Sequence, residues 1–461
     1  MNQQAVSLQI KKGFTAPYFR VILSGVLLLS FMCVCMVYAL KSLGLEPPVA
    51  IYIFVAGGVS TALIGQLLVV TKSFHGRFSM DSDLCGVQKS HTTPVPRIGG
   101  IAILVGLGVI DLVPWHFSLG LPNAIHTEFS ATLWCLLLCA FPAAISGFLE
   151  DVTKKVSVKI RLFSTIASGL LACIFANAVI PKFDVFGLDA LMAYSTFAML
   201  ATAFCAAGVA NAVNIIDGFN GLASGALVLI SSGFGLLGAS VGDPLLVLLA
   251  LSVATVSAGF MVVNYPMGRL FLGDGGAYLL GFLLAELAIL TAARHPELNA
   301  FTVLTLVSYP VLEVVVSVVR RKLKKVSPGE PDRGHMHQQI QLALRHTFGG
   351  SSESDRTQQL RSNLYSINAQ VSPLVWVLVA GTVFAALAFE HAGVWEPFGF
   401  AICTVLYVGF YQMLVRFNRQ VEPTHGMFHG DFELGLWPAP QFPQEVAEKS
   451  RASDHSKAHK E

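Results

Sequence analysis

Charge is what this chain has little of. Only 13% of its 461 residues are Asp, Glu, Lys or Arg, against 54% hydrophobic, which excludes an ordinary soluble domain. Metal-type cysteine spacing is missing too. The eight cysteines (33, 35, 85, 135, 139, 173, 205 and 403) mostly fall within apolar runs and read as buried, reduced thiols. No cleavage signal follows the first apolar run, which is too long for a signal core and reads as a retained helix. No internal repeat is evident, which counts against a transporter built from duplicated halves.

What the chain has is long apolar sequence. Runs able to cross a bilayer fall at 20–40, 50–71, 98–114, 130–149, 162–180, 193–210, 222–240, 244–263, 276–293, 301–319, 373–390 and 397–415. The expected fold is therefore an all-α, polytopic integral membrane protein with about twelve transmembrane helices, ten at the fewest. With a cytoplasmic N-terminus, 27 of the 30 Lys and Arg residues fall on inside segments. Only Lys41, Lys182 and Arg294 are left outside, an asymmetry that places both termini in the cytoplasm.

Residues 1–420 are expected to form one membrane domain with cytoplasmic active-site loops, the largest spanning 320–372. Its opening run, Arg320-Arg321-Lys322-Leu323-Lys324-Lys325, reads as an anchor against anionic headgroups, with contact to an anionic substrate as the alternative. Residues 421–461 are expected to form a polar, partly disordered tail.

Five inside-facing segments carry polar residues that anchoring does not require. Lys89-Ser90-His91-Thr92-Thr93-Pro94-Val95-Pro96-Arg97-Ile98-Gly99-Gly100 combines an extended Pro-containing path with glycines and cations suited to phosphate; the plainer reading is an entry turn. Glu150-Asp151 ends the fourth run. Adjacent helical side chains diverge by roughly 100°, so the two acids should serve different partners, unless they are only a solvated helix end. Asn211, Asn214 and Asp217 precede Gly218, with 214 and 217 on one helix face; a C-terminal cap is the alternative.

The fourth segment, from Asn264 through Phe271-Leu272-Gly273-Asp274-Gly275-Gly276, sets a carboxylate in glycines where a helix begins. That arrangement attracts anions and hard cations, against a capping role for Asp274. The fifth, Pro331-Asp332-Arg333-Gly334-His335-Met336-His337-Gln338, reads as a turn or extended stretch presenting both rings for phosphate contact or proton transfer, with too few ligands for zinc. Glu286 and Glu313 lie within spans; structural hydrogen bonding is expected of them, with a proton relay as the alternative.

Together and in order, these motifs resemble the polyprenyl-phosphate N-acetylhexosamine-1-phosphate transferases, over residues 89–338. Glu150 replaces the first Asp of the family's usual Asp-Asp pair. Asn220 stands where a second Asp often follows Asn-x-x-Asp, and Gln338 where a further His commonly follows His-x-His. The histidine and His91 loops look closer to the undecaprenyl-phosphate N-acetylglucosamine-1-phosphate branch than to the phospho-N-acetylmuramoyl-pentapeptide branch.

The resemblance implies an enzyme of the bacterial inner membrane with a cytoplasm-facing site. It implies transfer of a sugar 1-phosphate, from UDP-N-acetylglucosamine or a related UDP-sugar, to undecaprenyl phosphate, with release of UMP. The product would initiate a cell-surface glycan such as an O-antigen, or serve cell-wall biogenesis. Asp274 and Asp217 would hold Mg2+, or Mn2+ in its place. Asp151, with Glu150 and Asp217, would be catalytic, Asp151 facing the lipid phosphate. Lys89, His91, Arg97, Asn214, Asn220, Asn264, Phe271, Arg333, His335 and His337 would bind substrate. Partners would be these two substrates and membrane lipid, with a homodimer compatible and no nucleic acid. The alternative from another class is an ion-coupled transporter, which requires functional acids at mid-membrane.

The cation asymmetry makes a topological prediction. Single cysteines placed in 72–97, 150–161, 264–276 and 320–372 should react with an impermeant maleimide only from the cytoplasmic side. Labelling of any of these segments from outside would break the single-site reading.

Overall fold

A computed structural model describes residues 3–81, 94–112, 121–323, 325, 334–348 and 356–421. In chain order the helices are α1 (Gln3–Ser42), α2 (Pro47–Val70, with a π-turn at Phe54–Val59), α3 (Lys72–Ser79), α4 (Gly99–Leu112), α5 (Asn123–Cys139) and α6 (Phe141–Thr153). There follow α7 (Val158–Phe175), α8 (Leu188–Met192), α9 (Ser195–Ile216), α10 (Leu222–Ser240), α11 (Pro244–Asn264) and α12 (Gly273–Arg294). The last are α13 (Ala300–Leu306), α14 (Ser308–Leu323), α15 (Met336–Phe348), α16 (Arg356–Phe389) and α17 (Glu396–Val421). Among the described residues the one extended pairing is two residues long, Met80–Asp81 antiparallel to Val95–Pro96.

Among the described residues nine helices are long and apolar enough to span a bilayer, and two bent pairs bring the number to eleven. That range overlaps the ten to twelve expected from the sequence. The described part of run 98–114 is α4, 14 residues long, which cover about 21 Å at ~1.5 Å per residue. Each bent pair has a proline at its break. Pro142 has no N–H for the Leu138 carbonyl, and α5 meets α6 at 47°; Pro310 likewise has none for the Leu306 carbonyl, and α13 meets α14 at 85°.

Burial sorts the helices into a core and a sheath. Windows of α10, α11 and α12 are 94%, 94% and 89% buried, against 28% to 50% for the other straight spans. Helices apolar on every side belong inside. The ends of these three helices place the site: Asp217 and the turn before α10, Asn264 at the end of α11, and Asp274 at the start of α12, all at one end of the bundle.

The opposite end is tied by charge. Asp243 caps α11, accepting from the N–H groups of Leu245 (3.0 Å) and Leu246 (3.3 Å). Its carboxylate also accepts from Arg294 Nε (2.6 Å) and lies 3.1 Å from His295 Nε2, while Arg294 reaches Glu128 on α5 at 2.8 Å. Burial alone would raise the Asp243 carboxyl, but the hydrogen bonds from Arg294 and His295 and the Arg294 charge outweigh it and hold the group below its ordinary value. Such an acid stabilises the fold above its unfolded pKa of about 3.9 and loses that contribution as pH falls. Asp243→Ala should cost about 1–2 kcal/mol through the lost cap, read as a lower melting temperature in detergent. Asp243→Asn should flatten the acid-side decline of melting temperature below about pH 4.

Candidate active site

The site is organised on the first turn of α12. Its leading N–H groups have no partner within the helix. The carboxylate of Asp151, from α6, accepts those of Asp274 (2.9 Å) and Gly275 (3.0 Å). The chain enters that turn through Gly273 at φ +75°, where a side chain would meet the Arg97 carbonyl and the Asp151 carboxylate. Two more glycines let helices approach this turn closely. A Cβ on Gly147 of α6 would lie 2.5 Å from the Asp274 carbonyl carbon, and one on Gly100 of α4 would lie 2.6 Å from the Gly276 nitrogen. The entry strand is held in the same way: Phe271 N–H donates to Pro96 O (2.9 Å), and Gly99 and Gly100 donate to the carbonyls of Phe271 and Leu272 (2.9 and 3.0 Å).

So fixed, Asp274 projects into a cavity of about 400 Å³. Its Oδ1 accepts from Asn214 Nδ2 (3.1 Å) and Arg97 Nη2 (3.2 Å), and its Oδ2 pairs with Arg161. Arg97 also lies 3.4 Å from Asp151. Glu150 lines the cavity, and its Oε2 accepts from the Val156 N–H (2.7 Å). Asp217, half-buried just past the end of α9, makes no side-chain hydrogen bond or ion pair among the described residues. Burial raises its carboxyl well above the ordinary value, with Asp274 and Asp151 pushing the same way against Arg97.

The two histidines form the opposite wall. Their rings stack with centroids 5.4 Å apart and planes 6° from parallel. One carboxylate serves both: Glu313 Oε2 lies 3.2 Å from His335 Nδ1, and Oε1 lies 3.7 Å from His337 Nδ1. Glu313 also accepts from the Tyr309 hydroxyl (3.1 Å) and the Met336 N–H (3.2 Å). The expected turn or extended stretch is a helix start instead: the N–H groups of Gln338 and Gln339 both donate to His335 O at 3.0 Å, and α15 begins.

Of the residues singled out from the sequence, Arg97, Glu150, Asn214, Asp217, Asn220, Asn264, Phe271, Asp274, His335 and His337 all line this cavity; Lys89, His91, Arg333 and the 421–461 tail lie outside the described residues. Some placements differ from expectation. Asp151 is 3% exposed and turned to the backbone of α12, while its neighbour Glu150 lines the cavity, so the expected division of the pair is reversed in placement. The amides of Asn220 and Asn264 are engaged with backbone: Asn220 Nδ2 donates to Pro266 O (2.9 Å), and Asn264 bridges Gly221 N–H (2.5 Å) and Leu270 O (2.8 Å). Glu313 sits in the histidine wall rather than alone in the bundle, on a helix that also carries Arg320 and Arg321. Glu286 is fully buried and neither of its carboxylate oxygens has a partner among the described residues.

The basic run at 320 also needs correction as a pure anchor. Arg320 is 3% exposed and donates to Gly334 O and to the Tyr411 hydroxyl (2.6 Å), fixing the residue before His335. Arg161 is the residue sequence reasoning missed. It was counted among the inside cations, and its position one turn into α7, directly after the acidic pair, was the available signal.

Around the cavity, among the described residues, four carboxyl groups (Glu150, Asp151, Asp217 and Asp274) outnumber two guanidiniums (Arg97 and Arg161). Among the described residues no three His, Cys, Asp or Glu side chains form a complete metal cage. That donor set fits a hard divalent cation, which takes one or two carboxylates and completes its shell with water and phosphate.

Comparison with known proteins adds an independent line. The sequence profile of glycosyl transferase family 4 matches residues 133–292. A probable undecaprenyl-phosphate N-acetylglucosaminyl 1-phosphate transferase of Bacillus subtilis is 28% identical over 259 residues, 55% of this chain and 67% of the relative. The undecaprenyl-phosphate alpha-N-acetylglucosaminyl 1-phosphate transferase of Escherichia coli K12 is 26% identical over 266 residues, 56% and 68% of the two chains. A phospho-N-acetylmuramoyl-pentapeptide-transferase of Synechococcus is 32% identical over 261 residues, 54% and 71% of the two chains.

The close approach of α6 to α12 gives a stability test with an internal control. Gly147→Ala should cost about 1–3 kcal/mol by overpacking, because the atoms it meets are backbone. Gly208→Ala, in α9 with nothing within 4 Å of the new methyl, should be neutral or mildly stabilising. Thermal unfolding of both in detergent checks the contrast; equal melting temperatures would refute the contact.

Proposed function

Because the chain belongs to the polyprenyl-phosphate hexosamine-1-phosphate transferases, we propose that it moves N-acetylglucosamine 1-phosphate, or the 1-phosphate of a related N-acetylhexosamine, from a UDP-sugar to undecaprenyl phosphate. The observation that carries this reading is the cavity itself. Acids, arginines and histidines from six helices and their turns meet at one end of an apolar bundle, where an aqueous nucleotide sugar and a lipid phosphate can meet. In the orientation set by the cations, that end faces the cytoplasm of a bacterial inner membrane.

The chemistry is a displacement at phosphorus. An oxygen of the acceptor phosphate attacks the β-phosphorus of the donor. The bond from that phosphorus to the bridging oxygen breaks, and UMP leaves with the electron pair, giving a polyprenyl diphospho-sugar that would initiate a surface glycan. A phosphate monoester with a second pKa of about 6 is largely ionised near neutral pH, so the acceptor needs positioning more than deprotonation; Glu150, at the cavity wall, accepts any residual proton.

Both substrates are anions, so neutralising charge dominates the barrier. Arg97 and Arg161 offer planar forks to phosphate oxygens, and His335 and His337, oriented by Glu313, donate from the far wall; by the family resemblance Lys89 and Arg333 would bind substrate as well. Asp151 works through the backbone amides it holds, keeping Asp274 in place. Phe271 stacks on the base. Mg2+, or Mn2+ in its place, held by Asp274 and Asp217, would screen the diphosphate and stabilise the departing UMP.

A second reading has one observation behind it: the Synechococcus relative, the most identical of the three described, is named for a muramoyl-pentapeptide donor. One assay separates the two. Purified protein with undecaprenyl phosphate and Mg2+ should give lipid-linked product from radiolabelled UDP-N-acetylglucosamine or a related UDP-N-acetylhexosamine, and not from UDP-N-acetylmuramoyl-pentapeptide. Product from the latter alone establishes the second reading, and product from no donor sinks both. Asp274→Asn should lower turnover at least about a hundredfold, since lost charge stabilisation costs several kcal/mol and ~1.4 kcal/mol is tenfold. Near-wild-type turnover would remove Asp274 from the reaction.

A further inference from the structure

Asp217 poses a problem that its surroundings answer. Its carboxylate faces the cavity with no side-chain hydrogen bond to hold it among the described residues, and it sits where α9 has just ended. Its position must therefore come from the backbone on either side. On the upstream side that is the helix, through Asp217 N–H to Asn214 O (3.3 Å). Downstream it is the turn 218–221, which carries two glycines and would be loose if left alone.

That turn is clasped from a distant helix. Asn368, Ser372 and Trp376 lie four residues apart along α16 and therefore on one face, and each contacts the turn's backbone. Asn368 Oδ1 accepts from the Asn220 N–H (2.9 Å). The Ser372 hydroxyl donates to Asn220 O (2.6 Å) and Trp376 Nε1 donates to Gly221 O (3.2 Å). All three are buried, Ser372 completely, so each bond is made away from water, where leaving a backbone group unpaired is costly.

The other side of the turn is closed as firmly. Asn264 accepts from Gly221 N–H, the Tyr265 ring packs 5.0 Å from Trp376, and the Tyr265 hydroxyl donates to Val21 O (3.1 Å) on α1. A Cβ on Gly221 would lie 2.5 Å from the Tyr265 ring. Within the clasped turn, Phe219 packs edge-on against His337 at 5.4 Å. One clasp thus bears on two walls of the cavity.

We propose that Asn368, Ser372 and Trp376 are positioning residues for the transfer, setting the place of Asp217 and, through Phe219, of His337. They touch no substrate, and they lie beyond residues 133–292, the stretch the family profile matches. The proposal rests on the transferase reading and extends it to a helix that carries none of the motifs.

The test uses the full-length protein and the lipid-product assay. Asn368→Leu keeps the volume but loses the acceptor, Ser372→Ala loses the donor, and Trp376→Phe keeps a ring without its N–H. Asn368→Asp restores the acceptor oxygen. The Asn368→Leu/Ser372→Ala double variant should lose tenfold or more in kcat, with KM for the nucleotide sugar changed less than threefold. Trp376→Phe should lose threefold or more, and Asn368→Asp should stay within threefold of wild type.

Asp243→Asn, at the far end of the bundle, serves as the stability control and should keep wild-type kcat. If the double variant keeps kcat within twofold, or Asn368→Asp is as impaired as Asn368→Leu, the proposal is overturned. It is also overturned if kcat across all variants, Asp243→Asn included, merely follows melting temperature. Should the double variant fail to fold, Trp376→Phe decides alone on its kcat. A wild-type protein that makes no product from any donor defeats the transferase reading instead, and is seen before any variant is compared.

Discussion

The site depends on the acceptance of two backbone N–H groups by the Asp151 carboxylate at the start of α12. The first turn of a helix carries unpaired donors and the positive end of its dipole, and a carboxylate placed there satisfies both. Here the carboxylate comes from a neighbouring helix, so the bond also fixes how α6 and α12 sit together. Asp274, whose own N–H is one of the two donors, is held in place by that contact. Gly147 and Gly100 complete it, since backbone packed on backbone has no side chain to relax. A carboxylate thus set can meet Arg97, Arg161 and Asn214 at once.

Charge explains why this arrangement sits at a helix end. In the hydrocarbon core an acid is costly, and Glu286, fully buried in the middle of α12 with neither carboxylate oxygen partnered among the described residues, is an exception that this chain tolerates. At the bundle's end four acids stand beside two guanidiniums among the described residues, and burial, which raises the Asp217 carboxyl well above its ordinary value, lightens the negative charge they carry. The histidine wall stays outside that balance because Glu313 lies behind both rings, one oxygen toward each, directing their other nitrogens inward.

Much of this was legible in the sequence because it depends on residue type in a membrane context. Carboxylates and asparagines at the ends of apolar runs stand out where charge is rare, and six of them (Glu150, Asn214, Asp217, Asn220, Asn264 and Asp274) line one cavity. What stayed hidden depends on distance. Arg161 looks like any cation at a membrane edge until α7 is folded back against α12. The side of the helix from which Asp151 leaves decides its partner, and sequence gives the angle between neighbours but not which neighbour faces the cavity. Arg320 opens a basic run that charge statistics assign to lipid, yet it bonds a carbonyl in the interior. The two bends stayed hidden because a run's apolar length does not reveal where a proline breaks it.

The least legible part is the clasp on the turn after Asp217, and its composition explains why. Asn, Ser and Trp four residues apart in an apolar helix read as ordinary membrane-helix polar residues, and each bonds backbone, which has no sequence signature. Backbone bonding is nevertheless what a glycine-containing turn requires, because its own side chains cannot fix it. The two halves of the cavity are therefore held by different means. The Asp274 half is rigid through glycine-mediated helix contact and a cross-helix cap. The Asp217 half is a flexible segment made rigid by hydrogen bonds from outside. A reaction that brings two phosphorus centres together tolerates little misplacement of its surroundings, so a carboxylate with no side-chain bond among the described residues has to borrow its precision from helices on either side.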